Sequence, residues 1–142
     1  MREIKFRGIP TDNNTSYFED EEFVYGYLVI SDYKYYILLD LLDNIKRDDY
    51  AVYMVEVKPE TIGQYTGLHD KNGKEIYEGD ILQIDIDRAW IIWNEKYCYF
   101  QLVPIGDYYF DSDVIGQTLE YTETEIIGNI YENKELLNET NR

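Results

Sequence analysis

The 142-residue chain has a single cysteine, Cys98, so no disulfide can form within it. A chain without a disulfide framework suits a reducing compartment. Met1-Arg2-Glu3-Ile4 does not read as a signal peptide, so a cytoplasmic location is expected. No apolar run approaches the roughly 20 residues that span a bilayer. Alanine, the best helix former, occurs only at Ala51 and Ala89, which leans away from helix. Basic residues are also scarce, 13 against 29 acidic ones, for a net charge of −16. Phosphate-backbone binding needs clustered Lys and Arg, so direct nucleic-acid binding and attachment to an anionic membrane are not expected. The phosphate-binding glycine loop, the nucleophile elbow, the CxxC pair and the HExxH helix are all missing, so no catalytic residues and no cofactor are implied.

Aromatic residues are abundant. Tyrosine supplies 16 residues, within an ordinary hydrophobic fraction of 44%. Its flat ring covers a pleated surface while its hydroxyl reaches water, so this composition points to strands. A chain of this length makes one domain, 1–142, or two small subdomains, 1–60 and 61–133. The acidic balance permits a basic partner, or mimicry of nucleic-acid charge toward a DNA-binding protein; dispersed acids that confer solubility are the simpler reading.

In chain order, Ile4-Lys5-Phe6-Arg7 alternates as a first strand. A polar connection follows to Glu22 and includes the acidic run Glu19-Asp20-Glu21-Glu22, which reads as a solvated loop. Phe23–Ile30 and Lys34–Leu39 form a hairpin turned at Ser31-Asp32-Tyr33. Gly26 inside it marks a bulge or a close approach by another backbone. Leu41–Asp49 reads as a helical turn or loop, and Ala51–Val57 as a strand stopped by Pro59. Asp80–Asp87, Ala89–Trp93 and Tyr97–Val103 are three successive strands, with Tyr108–Phe110 as a short one and 111–121 irregular. Thr124–Tyr131 is the last strand, with a bulge at Gly128-Asn129. Asn133 caps a final helical turn through Leu136 and Leu137, and the last residues fray. The fold expected is mainly β, β-rich α+β at most, with antiparallel hairpins and a small SH3-like barrel around residues 64–103.

The densest turn chemistry lies between Val57 and Ile84. Asn72-Gly73 is a strong hairpin signal, because a type I′ turn needs positive φ at both central residues. Gln64-Tyr65-Thr66 before it and Glu75-Ile76-Tyr77 after it read as strands, with Glu78-Gly79-Asp80 as a second turn. Asp70-Lys71-Asn72-Gly73 superficially resembles a calcium loop, but its glycine is fourth rather than sixth and no glutamate follows at the twelfth position. The stretch Gln64–Leu82 resembles the signature of the YopX family of small bacteriophage and prophage proteins. Ile126-Ile127-Gly128-Asn129-Ile130-Tyr131-Glu132-Asn133 is similar to that family's closing motif, and Ile4–Arg7 and Val24–Leu28 also fit. His69 and Lys134 depart from the pattern, standing where Lys and Pro are usual. The resemblance implies a phage-encoded protein of the host cytoplasm with no established catalytic residues. Its motif positions are Gln64, Tyr65, Thr66, Gly67, Asp70, Asn72, Gly73, Tyr77, Gly79, Asp80, Gly128 and Asn129, read as structural.

Other candidates have bland competing explanations. Asp85 and Asp87, two apart on a strand, share a face and could bind a divalent ion, yet they alternate with Ile84 and Ile86 as solvent-facing charges do. His69 lies beside a turn, where an exposed polar residue needs no explanation. Cys98 between Tyr97 and Tyr99 reads as a buried, inert thiol on a strand. Trp90 and Trp93 have opposite parity, so at least one faces outward as an anchor for a protein interface. Three functions follow: a protein-binding phage accessory protein, alone or as a homo-oligomer; an acidic DNA mimic; and a metal-dependent hydrolase or nuclease using Asp85, Asp87 or the Asp107–Asp113 cluster.

Overall fold

The computed structural model describes residues 1–12, 22–39, 54–107, 109–110 and 112–138. The loop assigned to 13–21, the turn assigned to 41–49, the start of the strand at 51–53, Tyr108, Asp111 and the residues from 139 onward lie outside the described residues. Of the described residues 52% are in strands and 13% are helical, so the chain is mainly β as its composition predicts. It divides into two compact units, Met1–Tyr65 and Thr66–Arg142.

The first unit is an antiparallel sheet. Its strands are β1 (Phe6–Gly8), β2 (Val24–Ser31), β3 (Lys34–Leu39), β4 (Met54–Glu56) and the beginning of β5 (Gly63–His69). They lie in the order β4-β3-β2-β1-β5. The β2–β3 hairpin closes on a two-residue loop in which Asp32 (φ 51°) and Tyr33 (φ 62°) are both left-handed, the type I′ geometry that matches strand twist. Gly26 is needed for close approach, as its place in a strand suggests: a Cβ there would overlap the backbone oxygen of Leu38. Alternation sends Val24, Ile37, Val55 and Val57 to one face, where Phe6, Leu28, Leu39 and Ile62 pack on them. Burying each such side chain contributes about 1.5–3 kcal/mol. Pro59 opens a 3-10 turn, Pro59–Thr61, and the buried Thr61 hydroxyl donates to Lys58 O at 2.7 Å and accepts from Ile9 N–H at 2.9 Å.

The second unit holds the rest of β5, then β6 (Glu75–Tyr77), β7 (Asp80–Ile84), β8 (Asp87–Asn94), β9 (Tyr99–Ile105), a helix (Ile115–Tyr121), β10 (Thr124–Asn129) and a 3-10 turn (Lys134–Leu137). β5 also pairs with β6. β7, β8 and β9 form the expected meander, and β10 adds antiparallel to β7, giving the order β10-β7-β8-β9. A bulge falls between Ile126 and Gly128. Ile76, Leu82, Ile84, Ala89, Ile91 and Leu102 form the core, and the helix covers it with Ile115 and Leu119.

Five expectations are corrected here. The sheet over 64–103 does not close into a barrel among the described residues. The outer edge of β9 is occupied instead: Leu102 N–H bonds Asp113 O at 2.8 Å and Gln101 bridges Val114. Residues 80–87 are not one strand, since β7 ends at Ile84 and Asp85-Ile86 is a two-residue loop with Asp85 at φ 58°. The segment 115–121 is helical rather than irregular, because Ile115 and Leu119, four apart, both reach the core. Tyr109 and Phe110 are not in a strand. The Asn133 side chain does not cap the final turn; its Oδ1 accepts from Asn129 N–H at 3.1 Å.

Candidate functional site

The motif residues build a frame. Asp70, 7% exposed, accepts hydrogen bonds at Oδ1 from Asn72 N–H and Lys74 N–H, each 2.9 Å, and at Oδ2 from Ile126 N–H at 3.1 Å. Burial acts to raise its pKa, but those three N–H groups and the charge of Lys74 outweigh it and hold the carboxyl below the usual value. The same bonds correct the turn type. Gly73 N–H bonds Asp70 O at 3.0 Å, and Gly73 (φ 81°) is left-handed while Asn72 is not. With its side chain accepting from the next N–H groups, Asp70 holds a right-handed turn that Gly73 completes, in place of type I′.

The other motif positions behave likewise. Gln64 pairs with Phe6, and the buried Tyr65 donates its N–H to Lys5 O at 2.8 Å. The Thr66 hydroxyl donates to Ile76 O at 2.8 Å, and Gly67 lies within β5. Buried Asp80 accepts from Tyr77 N–H at 2.8 Å, closing the turn around Glu78-Gly79. Gly79 N–H bonds Ile91 O at 2.8 Å, and its carbonyl accepts from Ile130 N–H at 2.9 Å. Asn129 Oδ1 accepts from the N–H groups of Tyr131 and Glu132, each 3.0 Å. Gly128 leaves room for Asn133, whose Oδ1 would lie 2.6 Å from a Cβ there.

The sequence's chemical candidates are distributed differently. Asp85 lies in the β7–β8 turn and Asp87 opens β8, so the two do not share a strand, and both line a cleft of about 600 Å³. The same cleft is also lined by Tyr109, Phe110 and Ser112 and by Gln117, Thr118 and Tyr121 of the helix. Asp113 is engaged elsewhere: its Oδ2 accepts from Tyr99 OH and Gln101 Nε2, each 2.9 Å. Burial and then that bond to Asp113 raise the Tyr99 hydroxyl's pKa. Among the described residues no three His, Cys, Asp or Glu side chains come together in a way that could hold a metal ion. His69 lines a second cleft of about 380 Å³ with Lys71, Glu120, Glu123 and Thr124. Tyr121 and Thr122 line both clefts, so the two adjoin.

Cys98 is exposed, not buried, and sits at φ 57° in the turn before β9. The turn is organised by Asn94, whose carbonyl accepts from Cys98 N–H at 2.8 Å and whose side chain accepts from Tyr97 N–H at 2.9 Å. Trp93 is 38% exposed and meets Phe100 edge-on at 4.9 Å; Trp90 is half-buried.

The first unit has a feature that the sequence did not single out. The face of its sheet opposite the core presents Tyr25, Tyr27 and Val29 from β2, with Tyr36 and Leu38 from β3 and Met54 from β4 in register. Tyr25, Tyr27 and Met54 are 42%, 58% and 41% exposed. Lys34 and Glu56 edge this face as an ion pair at 3.9 Å. The alternation of Tyr25, Tyr27 and Val29 against Val24 and Leu28 was the available signal: both sides of β2 are apolar.

No helix among the described residues is long and apolar enough to cross a membrane. A search of curated proteins finds no match. A scan of protein-family models matches residues 5–138 to the family described as YopX protein. The match takes in both glycine-centred motifs and the strands that they join, and by it the chain belongs to the YopX family.

Proposed function

We propose that this protein is a non-catalytic phage accessory protein of the host cytoplasm that acts by binding another protein. The observation that carries the reading is the aromatic outer face of β2, β3 and β4. The solvated side of an antiparallel sheet ordinarily alternates to polar residues. Here Tyr25, Tyr27, Tyr36 and Met54 occupy those positions. Tyrosine offers a large, rigid contact area with a polar tip and is a frequent interface anchor. The motif residues support the same reading, because their polar groups serve backbone turns and strand ends rather than a reaction centre.

The test is paired capture. The tagged chain and a Tyr25→Ser/Tyr27→Ser variant of matched thermal stability are used as bait in phage-bearing host cells. The expected result is a stoichiometric protein held by the wild type and lost by the variant. Recovery of the same proteins by both baits, or of none, would count against the reading.

A further inference from the structure

We infer that β2 is an edge at which this protein associates with a second copy of itself: two chains pair antiparallel along Tyr27–Ser31, with Val29 facing the same residue of the second copy across a two-fold axis. The pairing stands apart from the reading of the tyrosine face, and it would double that face by joining two sheets. It starts from an edge left open. β1 pairs with β2 only over Val24–Gly26, and Lys5 O then bonds Tyr65 N–H, so the chain before β1 follows β5. β3 continues along the other side of β2 as far as Ser31. The two-residue turn makes Ser31 and Lys34 a hydrogen-bonded pair. Alternate residues of a strand bond to the same neighbour, so Tyr27, Val29 and Ser31 turn their N–H and C=O groups to β3, and Leu28 and Ile30 turn theirs away. Among the described residues no backbone bond reaches Leu28 or Ile30 on that side.

Unpaired edges invite association, and proteins ordinarily block them. β4, β9 and β10 are each occupied. Glu56 O of β4 accepts from Thr11 N–H at 2.9 Å. β9 is bonded to Asp113, and its Pro104 has no N–H to offer. β10 is held by Asp70 and Lys71. Tyr27–Ser31, by contrast, has no charge, no proline and no glycine. A second copy fits this segment in side chains as well as in backbone. Centring the pair on Val29 sets Leu28 opposite Ile30 twice, so the outward N–H and C=O groups of both residues in both copies are satisfied. Ile30 is 60% exposed, although it lies on the core side of β2 with Leu28 and beside Tyr35. The pairing carries it onto Leu28 of the second copy and extends the core. Charge decides against a foreign basic strand. The chain carries a net −16, but no acid lies within this segment, whose uncharged residues suit an equally uncharged copy. Such a short pairing makes a small interface, so the association is weak, and the like net charges weaken it further at low salt.

The test is sedimentation equilibrium of the full chain from about 5 to about 500 μM, a range that brackets weak dimers. A monomer–dimer equilibrium that tightens as sodium chloride rises from about 50 to about 500 mM is the expected result. Ile30→Lys sets a charge on the edge and should weaken the dimer about tenfold. Ile86→Lys makes the same change at an 83% exposed position of the β7–β8 turn and should leave the dimer unchanged. The register is read by disulfide formation in a Cys98→Ser background. Val29→Cys lies about 4.5 Å from its own copy between Cα atoms and should cross-link under mild oxidation. Tyr27→Cys and Ser31→Cys each lie about 13 Å along the strand from their own copies and should link only when the two variants are mixed. A monomer at every concentration, a dimer indifferent to Ile30→Lys, or equal self-linkage at positions 27, 29 and 31 would each overturn the pairing. The binding role of the tyrosine face would then stand or fall by its own capture experiment.

Discussion

The carboxylate of Asp70 accepts a hydrogen bond from the backbone N–H of Ile126, 56 residues further along the chain, at 3.1 Å. A hairpin tip is thereby fastened to β10, and an N–H on the outer edge of β10 is satisfied. Lys71 N–H to Thr124 O at 2.9 Å makes the second fastening. Asp70→Ala removes an acceptor shared by three backbone N–H groups in a buried place. The expected loss is about 3 kcal/mol, and about half that for Asp70→Asn, which keeps one acceptor oxygen. Urea unfolding followed by tryptophan fluorescence measures both, and equal stability of wild type and Asp70→Ala would contradict this role.

The same residue sets an acid limit. Its folded pKa lies below the unfolded value of about 3.9, because the backbone N–H groups and Lys74 outweigh the opposing effect of burial. Its contribution is therefore complete above about pH 4 and is lost as pH falls through the lowered folded value. Urea midpoints measured between pH 6 and pH 2 should fall more steeply for the wild type than for Asp70→Asn in the acid limb. Parallel curves would remove Asp70 from the account.

Gly26→Ala should cost about 3 kcal/mol, the upper end for overpacking, because the added methyl meets the Leu38 backbone oxygen rather than a side chain that can turn away. Gly116→Ala, where a Cβ meets nothing within 4 Å, is the comparison that should be neutral or stabilising. Thermal unfolding of the two variants checks the contrast.

Cys98 should react with one equivalent of a disulfide reagent without denaturant, since its side chain is exposed. A thiol that reacts only after urea is added would contradict the placement of the β8–β9 turn.

The strands were legible because tyrosine-rich alternation is a direct record of a two-faced pleat. Their ends were less so. Ile84-Asp85-Ile86-Asp87 keeps perfect alternation through a turn that contains neither Gly nor Asn, so the pattern runs on where the strand stops. The type I′ turn falls on Asp32-Tyr33, and a bulky residue at positive φ is not what turn chemistry suggests. Seven helical residues with Gly116 inside and no side-chain cap left only Ile115 and Leu119 as a signal. Gly73 and Asn129 serve backbone needs that their residue types announce, a positive φ at the one and side-chain acceptance of two following N–H groups at the other, whereas Asn72 does not take the left-handed φ that its type suggests. The wider cleft could not be read: it gathers residues from the β7–β8 turn, Tyr109, Phe110 and Ser112, and the helix, stretches that are separated in sequence.

That sheet order has a consequence for how the protein is made. β7, β8 and β9 are neighbours in sequence and can pair as soon as they are synthesised, but β7 receives its second partner only when residues 124–129 have followed. Until then the nascent chain carries β7 with one side unpaired and the Asp70 carboxylate without its Ile126 donor. Long-range pairings of this kind are the slow steps of β folding, and strand edges waiting for them are where chains associate wrongly. The closing motif around Gly128 and Asn129 thus works as a latch set last, and a ribosome paused before it holds a chain open to aggregation.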